Sequence, residues 1–249
     1  MPIETAVILA AGQGIRLGPL GRVTPKGFLQ LDLRGRPIIV ESIERLRSRG
    51  IRRIVVITGH LAAFYEALSE RTQDVITVHN PRFAESGSLH SLTCAEGVVA
   101  GDFLLLESDL VYEARALDAA LNSPRDDVIV VSPPTGSGDE VYVAADGETI
   151  AMISKDRQLS DASVGELVGI SKISRRLFER MQRQAESNPI AEYETGALAA
   201  LAREYALYYC LVPDLVWAEI DTLADFERVR GTVYPRLRGL ERASPRSQL

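Results

Sequence analysis

Two glycines, an arginine and a lysine close to the amino terminus are the residues whose spacing most plainly suits chemistry. The apolar run Val7-Ile8-Leu9-Ala10-Ala11 leads into Gly12-Gln13-Gly14-Ile15-Arg16-Leu17-Gly18-Pro19, and Pro25-Lys26-Gly27 follows. Glycine has no Cβ, so its backbone can close on a ligand and turn successive N–H groups toward phosphate oxygens. Arg16 and Lys26 add positive charge where a polyphosphate is negative. The pattern therefore points to a nucleoside triphosphate. Two better-known glycine loops do not fit it. A P-loop needs Gly-Lys followed by Ser or Thr, whereas Lys26 follows a proline. A dinucleotide fingerprint needs its third glycine one place earlier than Gly18. It also needs an acid at the end of the second strand, which here closes on Thr58-Gly59-His60.

Two aspartates are candidate metal ligands. Asp109 closes the run Phe103-Leu104-Leu105-Leu106-Glu107-Ser108-Asp109. Ligands of open α/β sheets bind beyond the carboxyl ends of the strands, so a carboxylate there can hold Mg²⁺ beside the triphosphate; the same residue would also serve as a turn cap. The side on which Glu107 lies depends on whether the strand continues. Asp221, in Trp217-Ala218-Glu219-Ile220-Asp221-Thr222, or its neighbour Thr222, is a natural helix N-cap, with Asp225 in the first turn. A capping aspartate can also face a metal, and two carboxylates suit an ion that bridges phosphates.

Asn80-Pro81-Arg82 and Ser86-Gly87-Ser88 lie on a polar connection before a helix, where N–H groups and hydroxyls can read a base edge or simply cap the helix. The second half offers Glu140 in a turn, Lys155 at a strand end, Glu166 in a strand, and Glu192-Tyr193-Glu194. Acids beside an aromatic face suit a small cation, and they equally suit a helix N-terminus. With three histidines, none paired, a zinc site does not fit.

The elements that must position these groups follow from hydropathy. Apolar runs at 5–10, 52–58, 74–79, 102–107 and 127–132 are short and bounded by turn residues, which predicts buried strands. Helical periodicity at 37–50, 61–71 and 90–99 alternates with them, so βαβ crossovers and a sheet covered on both faces are expected. Further on, 141–143, 150–154 and 165–171 predict a meander turning at Asp146-Gly147. Helices are expected at 174–187, 193–204 and 222–230, with a strand at 205–212. The fold class is α/β, a Rossmann-like mixed, mostly parallel sheet with helices on both faces. A single domain is expected over 1–238, with a nucleotide part (1–132) and an acceptor part (133–238), then a disordered polar tail from Gly239.

Composition narrows the function classes. The chain has 249 residues, 46% hydrophobic and 25% charged, with a net charge of -6. That is ordinary for a globular protein and argues against general nucleic-acid binding. No apolar run approaches the roughly 20 residues of a membrane span, and no basic-then-apolar leader precedes the first strand, so a cytoplasmic protein without membrane contact is expected. Cys94 and Cys210 are expected to be reduced core thiols.

Leu9-Ala10-Ala11-Gly12-x-Gly14-x-Arg16-Leu17 with Pro25-Lys26 resembles the signature of nucleotidylyltransferases that join a nucleotide to a phosphorylated small molecule. The resemblance implies that Leu9, Ala10, Ala11, Gly12 and Gly14 bind nucleotide, that Arg16 and Lys26 are catalytic, and that Asp221 completes the metal site. It further implies that the segment from Asn80 through Ser86, Gly87 and Ser88 meets the base, and that Lys155 holds the acceptor phosphate. Ser86-Gly87-Ser88, Ser137–Val141 and Val164–Ser171 look more narrowly like cytidylyltransferases that activate 2-aminoethylphosphonate, relatives of the phosphocholine enzymes. Glu140, Lys155, Glu166, Tyr193 and Glu194 are then the expected acceptor residues. Few aromatics accompany Tyr142 and Tyr193, which favours a primary ammonium over a trimethylammonium group. The expected reaction is Mg²⁺-dependent transfer from CTP to a small amine-bearing phosphonate or phosphate, by a protein that could form a homo-oligomer. The alternatives are phosphocholine or a sugar 1-phosphate as acceptor. A non-catalytic nucleotide-binding module would lack Lys26, Asp109 or Asp221, and all three are present.

Overall fold

A computed structural model describes residues 2–32, 35–187, 190 and 192–243. Five strands form where the short apolar runs predict them: β1 (Thr5–Ala10), β2 (Arg53–Thr58), β3 (Val75–His79), β4 (Phe103–Glu107) and β6 (Val128–Ser132); all but β3, a half-buried edge strand, are largely buried. Between the last two lies β5 (Leu110–Tyr112). The second half adds β7 (Tyr142–Asp146), β8 (Thr149–Ser154), β9 (Gly165–Ile173), β10 (Tyr208–Leu211) and β11 (Trp217–Glu219). The β7–β8 hairpin turns at Asp146-Gly147, where Gly147 takes φ +59.

The principal sheet has nine strands in the order β3-β2-β1-β4-β9-β6-β10-β8-β7. β3, β2, β1 and β4 run parallel. β9 lies antiparallel between β4 and β6, and β10 pairs parallel with β6. The parallel pairings thus concentrate in the first half. β11 and β5 form a separate antiparallel pair in which Glu219 opposes Leu110.

The helices are α1 (Pro19–Val23), α2 (Ile38–Arg47), α3 (Ala63–Glu70), α4 (Ser88–Thr93), α5 (Arg115–Asn122), α6 (Arg175–Ser187), α7 (Glu194–Leu201), α8 (Leu223–Arg228) and α9 (Tyr234–Ala243). Strand side chains alternate between the sheet's two faces, and so does β1. Ala6, Ile8 and Ala10 join Ile39, Ile43 and Leu46 of α2 and Leu117 of α5 in one core. Val7 and Leu9 join Leu89 and Leu92 of α4 and Phe178 of α6 in the other. A third, smaller core gathers Leu17, Ile38, Ile220 and Leu237 around the amino-terminal loop.

Two expected boundaries change. The helix expected over 90–99 is α4, which starts at Ser88, so the Ser-Gly-Ser run forms its entry. The tail expected from Gly239 begins inside α9, because Tyr234 and Leu237 are buried and anchor that helix to the third core. Residues 244–249 lie outside the described residues. Among the described residues no helix is long and apolar enough to cross a membrane. Cys94 and Cys210 are free, partly buried thiols.

Candidate active site

The amino-terminal loop is shaped by backbone contacts. Gly14 takes φ +62 and Gly18 φ +61, conformations that side chains disfavour. A methyl group at Gly21 of α1 would collide with the Gly14 carbonyl oxygen. The turn after β2 braces both ends of the loop, since His60 N donates to Ala11 O (3.2 Å) and His60 Nε2 lies 3.0 Å from Gly21 O. Gln13 Nε2 donates to Ala84 O across the opening (3.2 Å).

This loop forms one wall of a cavity of about 1040 Å³ at the carboxyl ends of β1 and β4. Leu9, Ala10, Ala11, Gly12, Gly14, Arg16, Lys26, Ser86, Gly87 and Ser88 line it, with Asp109, Asp221, Lys155, Glu166, Tyr193 and Glu194 from more distant segments. Two expected site residues stand outside this lining. Asn80 is fully buried, where its Nδ2 donates to Ser86 Oγ (2.9 Å) and Ser91 Oγ (3.0 Å); it shapes the Ser-Gly-Ser turn from behind. Glu140 turns back to accept from Gly138 N (3.0 Å), a bond that a carboxylate next to a tight glycine turn makes locally. Glu166 borders the cavity while its two oxygens accept from Thr135 N (2.6 Å) and Oγ1 (3.3 Å). Ser88 Oγ donates to Glu194, and Glu194 N donates to Ser88 Oγ (3.2 Å), which ties the start of α4 to that of α7.

Lys26 is the electrostatic centre. Its ammonium, with only 18% of the side chain exposed, donates to Asp109 Oδ2 at 2.6 Å and to Asp221 Oδ1 at 2.5 Å. Burial opposes the charge, but the two aspartates outweigh it and raise the lysine above its ordinary range. Burial likewise works against ionised Asp221, and Lys26 with Arg16 (Nη2 at 2.8 Å) overcomes it and holds that carboxyl below its usual value.

Two further carboxylates complete the centre, and the sequence reading assigned neither. Strand β4 ends at Glu107, and the turn Ser108-Asp109 before β5 brings both acids to the cavity. Glu219 at the end of β11 sits two residues before Asp221 and is hydrogen-bonded to it. Oxygens of Glu107, Asp109 and Glu219 all lie within 4.8 Å of one another. Burial, then Asp109 and Asp221, pushes Glu219 up to about 8. Burial, then Glu219, Glu194 and Asp109, pushes Glu107 well above the carboxylate range. Of the expected metal pair, Asp109 belongs to this trio and Asp221 lies beside it; both are bonded to Lys26, and Asp221 to Arg16 as well. Three hard oxygen donors crowded together with their charges incompletely neutralised fit a divalent cation of the Mg²⁺ class. A Glu-x-Asp pair ending two separate strands was the signal available in the sequence.

The sequence matches the MobA-like NTP transferase domain over residues 6–202. It is 25% identical over 233 residues to the bifunctional IPC transferase and DIPP synthase of Aquifex aeolicus (strain VF5), covering 92% of this chain and 51% of that protein. It is 36% identical over 107 residues to the 2-aminoethylphosphonate cytidylyltransferase of Lancefieldella rimae, covering 43% of each. The chain thus spans about half the length of these curated relatives, or less. The inositol-1-phosphate CTP transferase structure from T. maritima superimposes with a TM-score of 0.81 at 20% identity, over 97% of both chains, a likeness of fold. The glycine loop, the fold and the extent of the match together place this chain in the family of MobA-like NTP transferase domains.

Proposed function

We propose that the protein is a Mg²⁺-dependent cytidylyltransferase that couples CTP to 2-aminoethylphosphonate and releases pyrophosphate. The observation that carries this reading is the convergence of the glycine loop, Arg16, Lys26 and the acidic trio on one cavity, with Lys155, Tyr193 and Glu194 on its far side. Arg16 and Lys26 bind the triphosphate, Lys155 binds the phosphonate, and the acids around Tyr193 suit the ammonium group. The Ser86–Ser88 turn, held by Asn80, offers the Ser86 hydroxyl to the base, while Ser86 N and Gly87 N donate to Arg82 O and Ile190 O.

The acceptor oxygen is already anionic, so the protein supplies no nucleophile. The oxygen attacks the α-phosphorus of CTP, the bond to the bridging oxygen of pyrophosphate breaks, and pyrophosphate carries away the electron pair. Glu107, Asp109 and Glu219, with Asp221 beside them, would hold a magnesium ion, whose positive charge would offset the negative charge of the phosphates. The chain itself contributes orientation and fixed positive charge, both set in advance by the braced loop and by the buried lysine.

A second reading takes inositol 1-phosphate as acceptor. The similarity to the IPC transferase extends over 92% of this chain, against 43% for the aminoethylphosphonate enzyme. Pyrophosphate release, measured with each nucleoside triphosphate against 2-aminoethylphosphonate, phosphocholine, inositol 1-phosphate and a sugar 1-phosphate, separates the readings. The expected result is turnover with CTP and 2-aminoethylphosphonate that stops with EDTA. Turnover confined to a polyol or sugar phosphate would replace the acceptor assignment, and absence of turnover with CTP would end the nucleotide assignment.

A further inference from the structure

Six charged side chains of the cavity form one alternating series. Lys155 Nζ meets Asp139 Oδ1 at 2.7 Å, Asp139 Oδ2 meets Arg16 Nη1 at 3.6 Å, and Arg16 continues to Asp221 and so to Lys26 and Asp109. Asp139 links the two sides of the site, because Arg16 follows β1 and Lys155 follows β8. It stands between the cation proposed for the triphosphate and the cation proposed for the acceptor phosphonate. Its carboxylate makes the contacts that substrate oxygens would make.

Side chains outside these ion pairs also bind the loop that carries Asp139. Its loop carries Gly136 at φ +72 and Gly138 at φ +97. Glu140 accepts from Gly138 N, Arg157 Nη2 donates to Gly138 O at 3.2 Å, and Glu166 accepts from Thr135 N. None of these bonds uses the Asp139 carboxylate, so they are not broken when Lys155 and Arg16 turn to substrates. With triphosphate on Arg16 and phosphonate on Lys155, a carboxylate that is 55% exposed before binding loses both neutralising partners and faces two anions. Like charges brought together at a binding site are a strong means of rejecting a ligand. An acceptor that brings its own cation relieves this repulsion, and one without it does not.

We infer that Asp139 is a specificity-determining residue that selects acceptors carrying an ammonium group and rejects purely anionic phosphates and phosphonates. This rests on the proposed assignment of Arg16 and Lys155 to the two substrates. The test uses matched acceptors that differ only in the amine: 2-aminoethylphosphonate against ethylphosphonate, and phosphoethanolamine against ethyl phosphate. Each is assayed with CTP and Mg²⁺ for the wild type, Asp139→Asn and Asp139→Glu, with melting curves to verify folding.

The wild type should favour the amine in each pair. Asp139→Asn should shrink that preference by about 10- to 100-fold, through the acceptor KM rather than kcat, and Asp139→Glu should keep most of it. An undiminished preference in Asp139→Asn overturns the inference and leaves cytidylyl transfer standing. A wild type indifferent to the amine likewise removes the role of Asp139 while CTP turnover persists. A wild type inactive with every acceptor refutes the proposed function itself, and this inference with it.

Discussion

The two sides of the cavity are built on different principles. The amino-terminal side is fixed by backbone: four parallel strands, a glycine loop packed on α1, and a lysine buried between two aspartates. The proposed acceptor side mixes exposed side chains on connections, Lys155 61% and Tyr193 64% exposed, with the buried Glu166 of β9 and Glu194 of α7. Rigid geometry suits the triphosphate, whose shape is common to all substrates of this chemistry. Exposed side chains can change without disturbing a core, so the acceptor side is where selectivity can be rewritten at little structural expense.

If this contrast holds, damage on the first side should reach both catalysis and stability. Lys26→Ala removes the cation shared by the buried Asp109 and Asp221 and leaves Asp221 with Arg16 alone. Turnover should fall by about 10²–10³ if the lysine follows developing charge, and the metal-free protein should lose about 3–5 kcal/mol near neutral pH. Steady-state kinetics and urea unfolding measure the two effects, and wild-type turnover in a folded variant would break the contrast. Gly21→Ala comes next. A methyl group pressed on the Gly14 carbonyl should cost about 1–3 kcal/mol and raise the CTP KM more than the acceptor KM.

The acidic trio gives a pH signature. Glu219, pushed up to about 8, binds a proton in the folded protein that the unfolded chain has released above the ordinary carboxylate range. Its contribution is therefore complete at low pH and is lost as pH rises toward 8, and Glu107 acts in the same direction. The melting temperature of the metal-free protein should decline over that interval. Added Mg²⁺ should raise it more at pH 8 than at pH 6, and Glu219→Gln should flatten both responses. The smallest effect belongs to Lys155→Ala: about tenfold in acceptor KM by loss of one charge-assisted contact, an unchanged CTP KM, and less than about 1 kcal/mol in stability.

Legibility in the sequence follows the same division. β1, β2, β4 and β6 were readable because continuous burial on both faces leaves a short apolar run. Asp109 was readable as a cavity residue because polar residues that end such runs lie at the ligand-binding edge, and Asp221 because it precedes a helix in a stretch that resembles the family's late motif. Glu107 was undecided because its side depended on where β4 stops, and the strand stops at that residue. Glu219 was hidden because β5 and β11 are three residues each, too short to show alternation. Asp139 lay in a polar turn with the composition of any surface loop, and Glu140 beside it drew the assignment instead. Gly239 resembled the start of a tail because the burial of Leu237 is a tertiary fact, invisible in local polarity.

The position of β9 has a consequence for dissecting the molecule. This late strand is inserted between β4 and β6, so it supplies a hydrogen-bonding neighbour for both strands of the amino-terminal half that it separates. A fragment ending near residue 132 would carry the complete glycine loop yet leave β4 and β6 without β9, presenting bare ladders of amide and carbonyl groups open to pairing with another copy. Expressed alone, such a piece should self-associate instead of behaving as a miniature triphosphate receptor.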